Sequence, residues 1–485
     1  MKLYERLADE IEAAVRRGVF TPGERIASVR QASQQHGVSI KTVLHAYALL
    51  ESRGILETRP QSGYFVRAKP DHRAAGRKRD GEAGAGAIAV AVASEVDVSR
   101  LVLLTLRSIR AHDAVPFGSP YPDTEPFPWR RINQYANAIA RRHASWNLID
   151  DLPPGNPELI RQIARRYAEN GVPVDPGEIV ITVGATEAIN LSLQAVAKPG
   201  DTVAVESPTF YAMLHAIERL GMRAIEVPTH PADGIDIDAL AQIVGEGKIA
   251  ACMVMPNFQN PLGFQMPDAR KRQLVDLLSM HDIPVIENDV YQELHFGDAR
   301  PSTLKNYDTK GIVLHCASFS KSLTASHRIG WAMPGRFRAQ VEKLKFLNTL
   351  TTPSVPQVAV ADYLRHDGFD RHLRRVRKLY RQQARIMIAM VERFFPPGTR
   401  TSAPQGGYVL WVELPERVDS MLLYRAALSE RITVGPGYMF STRNAFAHYI
   451  RLNYSYPWTP QREAALQRLG QLVGELDARA KGART

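Results

Sequence analysis

The chain has no run of 18 or more apolar residues, so nothing in it is expected to span a membrane as a helix. Its opening residues, Met1-Lys2-Leu3-Tyr4-Glu5-Arg6, hold no apolar signal core, and export is not expected. Cysteine is scarce. Cys252 and Cys316 both sit in apolar strand-like runs with no metal-ligand spacing. That argues against a disulfide framework or a metal site, and for buried thiols in a reducing, cytoplasmic setting. No internal repeat is present. What is there is an ordinary globular composition, 45% hydrophobic and 23% charged over 485 residues, too long for one simple core. The net charge of +11 permits contact with a polyanion without requiring it.

Three segments differ in character. In the first, Leu3, Leu7, Ile11, Ala14 and Val15 recur at helical spacing and predict a helix over 3–17. Thr21-Pro22-Gly23 breaks the chain. Ser28 then precedes a short helix over 29–36, Gly37 makes a turn, and Ser39 N-caps a helix over 40–53 that Gly54 ends. Strand candidates at 55–58 and 64–67 flank a hairpin-like turn, Arg59-Pro60-Gln61-Ser62-Gly63. Helix, helix, turn, helix and two-stranded wing is the winged helix-turn-helix order, and it marks residues 1–68 as a DNA-binding domain. Residues 69–97 are polar, basic around Arg77-Lys78-Arg79, then small and flexible, as in a linker. From 98 to 485 helices and strands alternate, beginning with a helix over 99–110. The strands are continuously apolar, which predicts a mainly parallel α/β sheet covered on both faces. Beyond Pro353 come long helices and a smaller α+β region with strands at 408–412 and 449–452.

Lys321 carries the strongest chemical signal. It lies in Ser318-Phe319-Ser320-Lys321-Ser322-Leu323, directly after the apolar run 312–316, and Arg328 follows before the strand-like run 329–333. A lysine among small hydroxyl residues, with an arginine one or two turns on, is what a pyridoxal phosphate site requires. The amine condenses with the aldehyde while hydroxyls and a fixed guanidinium hold the phosphate dianion.

The front segment, with Ile26-Ala27-Ser28-Val29-Arg30-Gln31, Gly37-Val38-Ser39-Ile40-Lys41-Thr42-Val43 and Ser62-Gly63-Tyr64-Phe65-Val66, resembles the GntR family of bacterial repressors. The resemblance implies contact with double-stranded DNA through Ser28, Arg30, Ser39, Lys41, Thr42 and Gly63, with the second motif helix in the major groove. Ile40 departs from the family, which commonly has arginine there. Isoleucine cannot donate to guanine or phosphate but suits a thymine methyl.

The remainder resembles fold-type I pyridoxal-phosphate aminotransferases, and the order of the two modules resembles the MocR subfamily of GntR regulators. By that resemblance Lys321 is the catalytic lysine. Gly184, Ala185 and Thr186 in Thr182-Val183-Gly184-Ala185-Thr186-Glu187 offer backbone amides to the phosphate, joined by Ser318, Ser320 and Arg328. Glu187 is expected to turn away from that anion. Phe210 stacks on the pyridine face, with Tyr211 a neighbouring candidate. Asn260, in Asn260-Pro261-Leu262-Gly263, and Tyr291 donate to the phenolic oxygen. Arg451 takes an amino acid's α-carboxylate, and Gly155 lets the ligand pass close to the backbone. Aminotransferases place an aspartate three residues before the tyrosine. Here that position is Asn288, with Asp289 beside it. Either Asp289 takes over the pyridine nitrogen, or the cofactor is electronically muted. The resemblance implies a homodimeric transcription regulator sensing an amino acid or amine. The alternative is an active aminotransferase carrying an accessory DNA-binding module.

Overall fold

The computed structural model describes residues 2–16, 20, 23–59, 63–67, 102–103, 107, 114–142, 148–172, 174–247, 249–443 and 445–482. The expected linker, the wing tip at 60–62, the break at Thr21-Pro22 and all but three residues of the helix expected at 99–110 lie outside the described residues. The chain divides into two compact units, Met1–Val90 and Ala91–Thr485. No helix among the described residues is long and apolar enough to cross a membrane.

The first unit contains α1 (Leu3–Arg16), α2 (Val29–His36), α3 (Ile40–Ser52) and an antiparallel hairpin of β1 (Leu56–Arg59) and β2 (Gly63–Val66). Local chemistry fixes its boundaries. Ser28 and Gln31 form a reciprocal capping box at the start of α2, and Gly37 ends that helix in the left-handed region at φ 61. Ser39 caps α3 by accepting from the Thr42 amide at 3.1 Å. Leu7, Ile11, Val43, Tyr47, Leu50 and Leu56 bury the inner faces together. The Tyr47 hydroxyl, enclosed there, donates to the Ala27 carbonyl at 2.8 Å.

The second unit is built on an eight-stranded sheet. Its strands are β3 (Val180–Val183), β4 (Thr202–Ser207), β5 (Arg223–His230), β6 (Gly234–Ile235), β7 (Ala251–Val254), β8 (Val285–Asn288), β9 (Val313–Ser318) and β10 (Ile329–Met333). They lie in the order β3-β10-β9-β8-β7-β4-β5-β6. Strands β5, β4, β7, β8 and β9 pair in parallel, and every residue of β7 to β10 is buried, in keeping with their continuous apolar runs. Strand β10 runs antiparallel to both neighbours. The connection that carries Lys321, residues 319–328, is too short for a parallel crossover, so the chain must turn back on itself. Helices α4 (Trp129–Arg142), α5 (Pro157–Ala168), α6 (Gly184–Val196) and α7 (Tyr211–Arg219) follow in the chain. Helix α6 covers β8, β9 and β10 on one face. A smaller antiparallel sheet, in the order β11-β12-β14-β13, joins β11 (Arg400–Thr401), β12 (Val409–Glu413), β13 (Gly435–Pro436) and β14 (Tyr449–Asn453).

The ends of β3, β4, β7, β8 and β9 fall on one edge of the large sheet, and β10 starts there. Segments 184–186, 208–211, 257–263, 289–291 and 319–328 therefore converge at the carboxyl ends of the strands, where open α/β sheets form their binding crevice.

Replacing Leu50, fully buried in the small first unit, with alanine is expected to destabilise that unit by about 2–5 kcal/mol. All five tryptophans, at 129, 146, 331, 411 and 458, belong to the second unit. Urea unfolding of Leu50→Ala followed by circular dichroism should show an early transition that tryptophan fluorescence does not report.

Candidate functional site

Helix α6 begins at Gly184, directly after β3. Gly184 has φ +75, and a Cβ on it would fall 2.5 Å from Arg328 Nη2, so only glycine lets that guanidinium lie against the helix start. Arg328 itself holds a positive φ of 55 just before β10. It donates through Nη1 to Ser320 Oγ at 3.2 Å and through Nη2 to the Val183 carbonyl at 3.3 Å. Gly330 brings the β10 backbone against the Gly184 backbone, leaving no room for a side chain. Ser318, on the last residue of β9, is buried, and its Oγ accepts from the Ser320 amide at 3.4 Å. Val183 caps α6 without a side-chain hydrogen bond, so no capping side chain takes up the first-turn amides of α6 beside this cradle. Glu187 reaches back to the Val183 amide at 2.6 Å, and its charge is taken up by Lys345 at 2.8 Å and Thr349 at 2.7 Å. The cradle therefore presents a guanidinium, two hydroxyls and a helix N-terminus, which together suit a phosphate dianion.

Lys321 Nζ donates to the Pro120 carbonyl at 3.0 Å and lies 4.6 Å from the centre of the Tyr121 ring. Burial, with Arg451 and Arg328 adding repulsion, pushes its amine down to about 7. Near neutrality a large share is the free base, the nucleophilic form. Tyr408 donates to the same Pro120 carbonyl at 2.8 Å.

Asn260 Nδ2 donates to the Tyr291 hydroxyl at 3.2 Å, so the two expected partners of a phenolic oxygen stand together. Asn260 Oδ1 is buried without a partner. Phe210 caps α7 and is half-buried, its ring 4.5 Å from that of Tyr211. Tyr211 is fully buried and close enough to Arg451 to feel its charge.

Arg451, at the middle of β14, is completely buried. Nη2 donates to the Gly118 carbonyl at 2.7 Å, while Nε and Nη1 have no partner. The Phe440 ring lies 5.5 Å away. A desolvated cation with two idle donors is costly unless a carboxylate completes it. Gly155 has φ +112, and the space a Cβ would take there is filled by Ile181 and Gln357.

The two residues left open at the pyridine nitrogen separate. Asn288 ends β8 with its Oδ1 buried and unpartnered. Asp289 Oδ1 accepts from Asn257 Nδ2 at 3.1 Å, and its Oδ2 stands 4.0 Å from His315 Nε2. Burial, reinforced by Glu287, pushes the Asp289 carboxyl up to about 7.

Sequence reasoning missed Pro120, Tyr121 and Phe440, which border Lys321 and Arg451. It also missed the buried group of Glu287, His315 and Tyr167, in which His315 Nδ1 meets Glu287 at 2.8 Å and Nε2 meets the Tyr167 hydroxyl at 2.7 Å. One signal was available: His315 is the lone polar residue of the apolar run 312–316.

In the first unit the Ser28 and Ser39 hydroxyls serve their helix caps, and Thr42 Oγ1 lies 2.8 Å from Ser39 Oγ. Arg30 and Lys41 are exposed. Ile40, 49% exposed, and Leu44, 43% exposed, are one turn apart on α3. Gly63 has φ +104, and Arg25 closes over it.

A winged helix-turn-helix on the same chain as an aminotransferase fold defines a DNA-binding regulator of two-module build. Comparison with known proteins agrees. Residues 3–66 match the model of the bacterial regulatory proteins of the gntR family, and residues 131–469 match aminotransferase class I and II. The chain is 40% identical over 475 residues to the HTH-type transcriptional regulator YdcR of Escherichia coli, covering 98% of this chain and 100% of that one. It is 35% identical to YjiR of the same organism, over 98% of this chain and 99% of the other. Among solved structures, the α-aminoadipate aminotransferase LysN of Thermus thermophilus, complexed with N-(5'-phosphopyridoxyl)-L-leucine, matches with a TM-score of 0.71. It shares 28% identity and covers 77% of this chain and 95% of its own. The chain belongs to the MocR subfamily of GntR-type transcription regulators, with a fold-type I aminotransferase-like second module.

The reaction rate of Lys321 with an acylating reagent, followed by peptide mass spectrometry, should rise with pH through a midpoint near 7. A midpoint near the ordinary lysine value of about 10.4 would mean that the amine does not feel the pocket.

Proposed function

We propose that the second module holds pyridoxal phosphate on Lys321 and senses an amino acid or amine, and that this occupancy controls binding of operator DNA by the first module. The proposed boundaries are 1–68 for the DNA-binding domain, 69–97 for the linker and 98–485 for the effector domain. One observation carries the sensing: the buried Arg451 guanidinium, with two idle donors, acts electrostatically on Lys321.

The residues fit the cofactor. Gly184, Ala185, Thr186, Ser318, Ser320 and Arg328 would take the phosphate, Asn260 and Tyr291 the phenolic oxygen, and Phe210 a ring face. When bound, the cofactor supplies an electrophilic carbon and an electron-accepting ring. The chain does the rest. Lys321, depressed to about 7, is a base that can hold or release a proton near neutrality. Arg451 fixes a carboxylate as a two-pronged pair, which selects α-amino acids over simple amines. Tyr121 covers the lysine and Phe440 the guanidinium, so both charges act in a partly water-free space.

Sensing requires the ligand to favour one of two global states, by about 1–3 kcal/mol in typical cases. We propose a homodimer, so that two DNA-binding modules address two half-sites one helical turn, about 34–36 Å, or a multiple apart. Exposed Ile40 and Leu44 favour thymine methyls over guanine at the positions they reach. The second reading, a working aminotransferase, is favoured by the near-complete cofactor set and by relatives such as the 2-aminoadipate transaminase of Thermus thermophilus, 30% identical over 74% of this chain.

The reconstituted protein should be yellow, with a band that moves when amino acids are screened against it. Lys321→Ala should abolish the band and leave basal DNA binding intact. Keto acid release at ordinary enzyme rates, roughly 1–1,000 per second, would favour the second reading. Promoter DNA bound without salt dependence would contradict the regulator. For whichever amino acid shifts the band, Arg451→Met should weaken binding by about 2–5 kcal/mol. An unchanged affinity would remove Arg451 from the ligand.

A further inference from the structure

We propose that the ring nitrogen of the cofactor faces a neutral amide, Asn288, and that this pocket holds pyridoxal phosphate with that nitrogen unprotonated. The inference rests on the reading of Lys321 as the cofactor's anchor.

Strand geometry decides between Asn288 and Asp289. Side chains on a strand alternate between its two faces. In the register of β8 against β9, Glu287 stands opposite His315 and Asn288 opposite Cys316. Cys316 Sγ lies 3.4 Å from Ser192 Oγ of α6, so Asn288 shares the sheet face covered by the helix whose N-terminus forms the cradle. His315 meets Tyr167 of α5 on the opposite face. The Asp289 amide still donates to the Cys316 carbonyl at 2.8 Å, so the strand-like path continues and the Asp289 side chain returns to the face of Glu287.

That carboxylate is held where it lies. Asn257 Nδ2 donates to its Oδ1, and Asn257 Oδ1 in turn accepts from Lys271 Nζ at 2.8 Å. The charged and titratable groups around it, Glu287, His315, Lys271, Tyr167 and Arg300, which lies 4.8 Å from the centre of the Tyr167 ring, all belong to this second cluster. Turning Asp289 to the other face would leave Asn257 Nδ2 without it and would require the backbone to rotate through the ladder. Asn288 Oδ1 and Asp289 Oδ2 are both buried without a hydrogen-bond partner, but Asp289 Oδ2 lies 4.0 Å from His315 Nε2, on the face away from α6.

In the cofactor the ring nitrogen lies across the ring from the aldehyde carbon. With the phosphate arm held by Arg328 and Ser320, the aldehyde at Lys321 and the phenolic oxygen at Asn260 and Tyr291, the nitrogen would be directed to the end of β8, where Asn288 stands. A carboxylate there would stabilise a pyridinium by charge. An amide carries none and can donate its own N–H to the free nitrogen lone pair. An unprotonated ring withdraws electrons weakly, so loss of the α-proton of a captured amino acid would be slow. Attachment and exchange at Lys321 need no such withdrawal. The pocket would therefore capture an amine without consuming it, as a sensor must.

The test uses the full chain reconstituted with pyridoxal phosphate carrying ¹⁵N in the ring, examined by solid-state ¹⁵N NMR at neutral pH. A free pyridine nitrogen resonates far downfield of a pyridinium. The wild-type protein is expected to show the free form, and Asn288→Asp the protonated form with the yellow band retained. A pyridinium signal in the wild-type protein, lost in Asp289→Asn, would overturn the assignment and give the role to Asp289. If Asn288→Asp does not fold, the wild-type resonance alone decides. Retention of no labelled cofactor would instead overturn the reading of the site as a pyridoxal phosphate pocket.

Discussion

The larger module gathers positive charge where water is scarce. Lys321, Arg328 and Arg451 approach one another closely enough that the two guanidiniums and burial together move the lysine amine from its ordinary value down to about 7. The nearby carboxylates do not relieve this. Glu187 is taken up by Lys345 and Thr349, Glu287 by His315, and Asp289 by Asn257. Charge of one sign in a low-dielectric crevice is stable only when anions arrive, so the architecture calls for two of them: a phosphate at Arg328 and a carboxylate at Arg451. The fold supports that arrangement where Gly184 and Gly330 bring α6 and β10 into backbone contact beside Arg328, which holds a left-handed conformation.

Much of this was legible in the sequence wherever local chemistry decides. Ser28, Gly37 and Ser39 marked the ends of α2 and α3 to within a residue, because caps are local hydrogen bonds. The apolar runs of β7 to β9 announced a parallel sheet because burial on both faces leaves no alternation. The spacing of Lys321 and Arg328 was readable because both sit on one short connection. What was not legible depends on distant segments. Pro120 and Tyr121 reach Lys321 from a loop about 200 residues earlier in the chain, with no periodicity to betray it. The antiparallel course of β10 follows from the length of the Lys321 connection, yet apolar pattern alone does not record strand direction. The question of Asn288 against Asp289 was visible in the sequence. The proposed answer was not, since it turns on which face of β8 meets α6.

The DNA-binding module carries a similar lesson about hydroxyls. Ser28 and Ser39 look in sequence like phosphate contacts, and in the structure their oxygens also accept at the helix starts. They thereby hold α2 and α3 in a geometry that leaves Arg30, Lys41 and the apolar pair Ile40 and Leu44 exposed. Affinity would then come from the exposed cations and selectivity from shape and methyl contacts, a division common to groove-binding helices.

The claim that the crevice is built for a phosphate-bearing aldehyde anchored at one amine is tested most directly by borohydride reduction of the protein incubated with pyridoxal phosphate, followed by peptide mass spectrometry. The account predicts a single pyridoxyl adduct, on the peptide containing Lys321, whose yield collapses when Arg328 is replaced by methionine. Adducts spread over surface lysines, or none at Lys321, would contradict it.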